Sequence, residues 1–183
     1  MKGAILAAGG IVMRHGARPL IAIVQRRKDG RWVLPKGKLK PHEHPKAGAK
    51  REAVEETGQR VDVHEFLGAV TYESGGKPKV THFWRMEARD GAPRELMRDI
   101  KAVEWLSLND AVDQLSIPLE QTFLGEVGRR AFRAAKSHAQ RRDRKRAKTS
   151  PARKSSGRKS AQKSAEQSNL LGRLFRGLGT PAT

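Results

Sequence analysis

Apolar positions along the chain fall into short runs separated by polar stretches rich in Gly and Pro. The runs Ala4–Met13 and Leu20–Gln25 have the composition of strands, and Arg14-His15-Gly16-Ala17-Arg18-Pro19 between them reads as a hairpin or short loop. Trp32-Val33-Leu34 is a third, shorter extended piece that stops at Pro35. From Pro45 to Thr57 the character changes to Ala, Glu, Lys and Arg, opened by proline and followed by Gly58, which predicts a helix. Val61–Glu73 and Val80–Arg89 read as two strands joined by Ser74-Gly75-Gly76-Lys77-Pro78-Lys79, and Lys101–Leu106 as another. Ser107 or Asn109 can cap a short helix through Leu115, and Pro118 opens a longer one from Leu119 to about Ala139. There is no internal repeat. Strands and helices interleaved in this way predict an α/β sandwich, a mixed sheet between helices.

Composition limits the rest. A chain of 183 residues suits one domain with an appendage. The absence of cysteine excludes disulfides, thiolate nucleophiles and Cys-ligated zinc. The longest apolar run is broken by Gly9 and Gly10 and ends at Arg14, well short of the ~20 residues that cross a bilayer. No small-residue cleavage site follows it, so a cytoplasmic protein without a signal peptide is expected.

Charge divides the chain. Residues 1–128 carry 21 basic and 17 acidic side chains, whereas residues 129–183 carry 17 basic and two acidic ones, Asp143 and Glu166. From about Arg141 to Gln167 the chain is Lys, Arg, Ser, Ala and Gln without an aromatic residue, too polar to offset its ordering entropy. The expected organisation is a folded domain over 1–138 and a disordered basic tail over 139–183. Within the tail, Leu170, Leu171, Leu174, Phe175 and Leu178 recur at helical spacing with Arg173 and Arg176 between them, a short amphipathic segment at 169–179. Such a tail suits a polyanion: nucleic acid for the Lys/Arg/Ser stretch, or an anionic surface. The plainer alternative is a solubilising appendage.

The chemistry concentrates around the first predicted helix. Glu52, Glu55 and Glu56 are separated by steps of three and four and share a helix face, where they repel one another. A hard divalent cation relieves that repulsion, because magnesium and manganese prefer oxygen ligands. Arg51, four residues before Glu55, can orient a glutamate from the helix edge. Lys36, Lys38 and Lys40, with Arg26 and Arg27, form a basic rim suited to phosphates. Taken alone, three glutamates on a helix read more simply as a solvated face paired with Lys46, Lys50 and Arg51.

The wider spacing removes that simpler reading. Gly37 stands six residues before Glu43, Glu43 nine before Glu52, and Arg51-Glu52-Ala53-Val54-Glu55-Glu56-Thr57-Gly58 follows in register. The stretch 37–59 resembles the Nudix box, Gly-x5-Glu-x7-Arg-Glu-U-x-Glu-Glu-x-Gly-U with U aliphatic. It departs from that pattern at Gln59, in the last aliphatic position, and at the small Ala53. Both concern packing, and Val61 can replace the former.

The resemblance covers roughly residues 3–135 and implies an α/β; Nudix-type α/β/α sandwich with a mixed β-sheet. It implies metal-dependent hydrolysis of phosphoanhydride bonds in nucleoside diphosphates linked to another group. Glu52, Glu55 and Glu56 would bind Mg2+, or Mn2+ as the alternative, together with the backbone carbonyl of Lys36. Glu52, Glu55, Glu56 and Arg51 would form the catalytic set, and one of the box glutamates would take the proton of the attacking water. Gly37, Glu43 and Gly58 would support the box, and Arg27, Lys36 and Lys38 would hold substrate. Pro35-Lys36-Gly37 and Val103-Glu104-Trp105-Leu106 resemble the branch acting on diadenosine polyphosphates and the actinobacterial MutT-type enzymes. That makes diadenosine polyphosphates, or normal or oxidised nucleoside triphosphates, the leading substrates. RNA 5′ ends and diphosphoinositol polyphosphates are the alternatives within the family. A nucleic-acid-binding module with incidental hydrolysis is the alternative outside enzymology, and the intact glutamates argue against it.

Three further features carry bland readings. Arg14-His15-Gly16 matches the opening of a histidine-phosphatase motif without any such domain around it. His42 and His44 flank Glu43 in a loop and are expected to be solvated. Trp32, Phe83 and Trp84 are expected in the core.

Overall fold

A computed structural model describes residues 3–14, 16 and 18–149. The strands are β1 (Ile5–Arg14), β2 (Leu20–Arg26), β3 (Trp32–Val33), β4 (Lys36–Lys38), β5 (Val61–Ser74), β6 (Lys77–Ala88) and β7 (Ile100–Leu106); the helices are α1 (Pro45–Thr57), α2 (Leu108–Gln114) and α3 (Pro118–Thr149). They form one mixed sheet in the order β3-β2-β1-β6-β5, with β4 paired to β1 and β7 to β2. Only β1 and β6 run parallel, from Ile5 opposite Lys79 to Met13 opposite Glu87; the other pairs are antiparallel.

Alternation along β1 and β6 sorts side chains to two faces. Ile11, Met13 and Phe83 join Leu124, Ala131 and Ala135 of α3 in one core, while Ala8, Val12, Trp84 and Met86 join Ala49 and Ala53 of α1 in the other. The sheet is therefore covered on both sides, as the sandwich requires. Ala53 is fully buried on the α1 side, in the same cluster as Ala8, Ala22 and Ala49. Val61 is buried in the same cluster.

Helix α1 occupies the predicted span, with His44 as its N-cap and Gly58 in the left-handed conformation (φ 69°) as its C-cap. His44 accepts a bond from the Lys46 amide, so this histidine has a local structural task. Ser107, rather than Asn109, caps α2. Phe83 and Trp84 are buried and Trp32 packs against the core, as expected.

Two features differ from the sequence reading. The strand β4 is absent from it, since Lys-Gly-Lys carries no hydrophobic signal. Helix α3 continues ten residues past Ala139, so residues 141–149 of the basic stretch are helical. Ala, Gln, Arg and Lys are good helix formers, and the first proline after them is Pro151. The chain divides into two units, Met1–Asp143 and Arg144–Thr183. The segment 169–179 and the rest of the basic stretch lie outside the described residues, as does His15.

Candidate metal and phosphate site

The site is assembled where β4 runs beside α1. β4 pairs with the first half of β1, with Gly37 opposite Ala8, and this register is bracketed by Gly10 N–H to Pro35 O and Leu39 N–H to Leu6 O. Lys36 and Lys38 therefore occupy the ladder positions whose backbone groups face away from β1. The Lys36 amide donates to Glu56 Oε2 at 2.8 Å and the Lys38 carbonyl accepts from Arg51 Nη2 at 3.3 Å. The Lys36 carbonyl likewise faces away from β1. Gly37 allows the approach: a Cβ there would overlap the Glu52 carboxylate.

Arg51 ties loop to helix. Its Nε and Nη2 each donate to Glu43 at 2.8 Å, and its Nη1 donates to Glu52 at 2.7 Å and to Glu55 at 3.0 Å. Glu43 also accepts from the Lys40 amide at 2.9 Å, and the Arg51 bonds hold its carboxyl down at about 2. Arg51 is in turn held fully charged. The three glutamates differ in setting. Burial raises Glu52 against the opposing pull of Arg51, and it pushes Glu56 up to about 7, with the Lys36 amide pulling the other way. Glu55 is the most open of the three.

This donor set fits a hard divalent cation. Burial holds two neighbouring carboxylates above their ordinary range, and a third, Glu55, shares the Arg51 guanidinium with one of them.

The predicted basic rim is sorted by what each side chain already holds. A cleft of about 620 Å³ opens beside Glu52 and Glu56, and Lys38, Lys40, Arg27 and Lys79 all reach it. Arg26 pairs with Asp29. Arg27 donates to the Arg98 and Ile100 carbonyls, at 2.9 and 3.2 Å, and anchors the loop before β7. The Lys36 ammonium turns inward, 2.8 Å from Glu120 Oε1 with both side chains buried, and also bonds the Leu34 carbonyl. Lys38 and Lys79 are in no ion pair among the described residues. Burial lowers Lys79, so its charge is poorly hydrated and suited to an anion.

Sequence reasoning missed Glu120 and Lys79. Glu120 is buried, accepts the Leu34 amide at 2.8 Å and joins α3 to the entrance of β4. A glutamate in the first turn of a helix reads as an exposed partner of the helix dipole, so it gave no signal. Lys79 belonged to a turn in the sequence reading and is instead a residue of β6 opposite Ile5.

Comparison with known proteins agrees with the geometry. The model of the NUDIX domain matches residues 4–124. An 8-oxo-(d)GTP phosphatase of Mycolicibacterium smegmatis is 30% identical over 135 residues, which is 67% of this chain but 41% of that protein. The chain thus corresponds to less than half of that relative. A MutT-like protein of Streptomyces ambofaciens is 33% identical over 111 residues, 61% of this chain and 69% of that one. Among solved structures, a C. elegans Ap4A hydrolase binary complex superposes with a TM-score of 0.63 at 25% identity, covering 74% of this chain and 99% of that one. The NUDIX domain of Shewanella oneidensis NrtR, solved with ADP ribose, shares the fold at 18% identity and a TM-score of 0.60. NUDIX enzymes generally use divalent metals, and the carboxylates gathered by Arg51 lie within the matched span. The chain belongs to the NUDIX family.

Proposed function

We propose that this protein is a magnesium-dependent hydrolase of phosphoanhydride bonds in nucleoside polyphosphates, with diadenosine polyphosphates and normal or oxidised nucleoside triphosphates as its leading substrates. The observation that carries the reading is the cleft itself: Glu52 and Glu56 line it together with Lys38 and Lys79, whose ammonium groups are in no ion pair among the described residues. A polyphosphate needs both halves, metal for the oxygens flanking the reacting phosphorus and fixed cations for the remaining charge. The related 8-oxo-(d)GTP phosphatase and Ap4A hydrolase support this substrate class.

Glu52, Glu56 and the Lys36 carbonyl would hold Mg2+, with Glu55 as a further ligand directly or through water. When bound, that ion lowers the pKa of water and offsets charge building on the leaving phosphate. The chain's own residues set the geometry. Arg51 holds Glu52 and Glu55 together through one nitrogen, Glu43 keeps Arg51 in place, and Lys38 and Lys79, which line the cleft with Glu52 and Glu56, would hold the phosphate chain. Arg27 acts mainly by fixing the loop that closes the cleft near Asp99. Water adds to phosphorus, the bridging P–O bond breaks, and the water's proton passes to a box carboxylate.

The deciding experiment is product release from a panel of dinucleoside polyphosphates, normal and oxidised nucleoside triphosphates and triphosphorylated RNA, with magnesium and with chelator. Magnesium-dependent cleavage of the first two groups is expected. Cleavage of RNA ends alone would move the substrate assignment, and no cleavage of any would overturn the reading.

A further inference from the structure

The opposite face of the sheet holds a second group of metal-ligating side chains. Arg85 and Glu87 follow Phe83 by steps of two along β6, so they point toward α3 and away from α1. Beside them β5, the edge strand, departs from regular pairing: Val63 stands opposite Met86 and Phe66 opposite Trp84, leaving His64 and Glu65 together opposite Arg85. A bulge of this kind re-aims side chains. It brings His64 Nε2 to 3.5 Å from Glu87 Oε1, and His138 from α3 places its Nδ1 at 3.8 Å from the same oxygen. The three atoms lie within 4.8 Å of one another.

Both nitrogens are buried and neither makes a hydrogen bond within the described structure. Buried imidazole nitrogens ordinarily find a partner, and here two of them converge on one carboxylate oxygen. The imidazole rings meet edge to face with centroids 4.7 Å apart. Glu87 Oε1 is oriented by Arg85 Nη1 at 2.6 Å, and Arg85 is itself held by Glu65 at 2.7 Å. Ligating carboxylates are characteristically fixed by such outer hydrogen bonds.

We propose that His64, Glu87 and His138 form a second cation site, separate from the box and suited to a borderline transition ion such as Zn2+. Two imidazoles and one carboxylate are a zinc donor set, whereas magnesium disfavours nitrogen ligands. Zinc bonds of ~2.0–2.2 Å need the ligand atoms about 3.3 Å apart, so the two imidazole–carboxylate distances must shorten by up to roughly half an ångström and the two imidazole nitrogens, now within 4.8 Å, must close further as the ion binds. The ion would join α3 to the bulged edge of the sheet, with a fourth position for water.

The test is zinc titration of the full-length, chelator-treated protein in excess magnesium, which occupies oxygen sites, read by calorimetry and by cobalt absorption spectra. One ion per chain is expected. His64→Gln and His138→Gln should each weaken binding at least tenfold, and zinc should raise the thermal midpoint of the parent but not of these variants. His42→Gln/His44→Asn, which preserves a capping side chain at residue 44, should bind as the parent does. His138 lies on a half-exposed helix face, so its variant answers the question even if His64→Gln fails to fold. Stoichiometric binding that survives His138→Gln, loss of binding in the His42/His44 control, or no zinc binding by the parent would each overturn the proposal.

Discussion

Arg51 grips Glu43 through two parallel bonds of 2.8 Å, Nε to Oε1 and Nη2 to Oε2, and the same guanidinium reaches Glu52 and Glu55 with its third nitrogen. One planar cation therefore fixes the loop from Lys38 to Glu43 against the helix that carries Glu52, Glu55 and Glu56. An ammonium offers no equivalent fork. Arg51→Lys should keep the charge and lose the geometry: magnesium activation should weaken by about 10–100-fold with the fold retained. Rates measured across a magnesium titration check this, and an unchanged activation constant would show that charge alone suffices.

Glu56→Gln should lower turnover by on the order of 100-fold or more at saturating magnesium, because the amide supplies one neutral oxygen where a charged ligand is needed. Without metal the same variant should be as stable as the parent or more so. The folded parent holds its Glu56 proton up to about pH 7, whereas the ordinary carboxyl value is 4.5. Between those values the folded state binds more protons, so this group makes metal-free stability fall as pH rises through the window, by about 3 kcal/mol in all. Denaturant midpoints at pH 5 and pH 7.5 should show that slope reduced in Glu56→Gln.

Gly37→Ala should disable the site through one methyl group. The new Cβ would occupy the space of the Glu52 carboxylate, so either that ligand or β4 must move. A loss of about 1–3 kcal/mol in stability is expected, with a larger loss of magnesium affinity. Retention of both would mean that the Glu52 side chain has another usable rotamer.

Lys36 and Lys38 should behave differently despite their common charge. Lys36→Gly strands the buried Glu120 carboxylate without its cation and should cost about 3–5 kcal/mol, affecting all substrates alike. Lys38→Ala and Lys79→Ala remove cations that face the cleft and should cut kcat/KM by about 10–100-fold, most for the longer polyphosphates. Steady-state kinetics on tri-, tetra- and pentaphosphate substrates distinguish the two patterns.

Removing residues 144–183 takes away 11 basic and one acidic side chain. Small-nucleotide hydrolysis should stay within about twofold, since the box ends at residue 59, while retention on RNA, DNA or anionic vesicles should drop sharply at low salt. A large loss of hydrolysis would place part of the tail in the active site.

The box was legible because its geometry is local: Glu52, Glu55, Glu56 and Arg51 lie on one helix turn or the next, and helical periodicity alone brings them together. Glu43 and Gly37 came with the resemblance to the Nudix box. What escaped depended on contacts between segments far apart in sequence. Lys36 looked like one of three equivalent lysines, and only the arrival of α3, with Glu120 at 84 residues' remove, turns its ammonium inward. Lys79 reaches the cleft because β6 lies parallel to β1. The His64–Glu87–His138 group depends on a bulge and a helix crossing, neither of which has a periodic signature.

Strand β1 has a consequence for the portability of the box. Its first half pairs with β4, its end with β2, and nearly its whole length with β6, so the three-residue strand that aims the Lys36 carbonyl has β1 as its sheet neighbour. The box is thus a short motif in sequence but not a transplantable module. Moved to another scaffold without a strand to hold Gly37 opposite Ala8, it would keep its glutamates and lose the fixed orientation of the Lys36 backbone. In the growing chain, likewise, β1 waits for residues 79–87 to emerge, and the site takes its final shape only after more than half of the folded unit has been made.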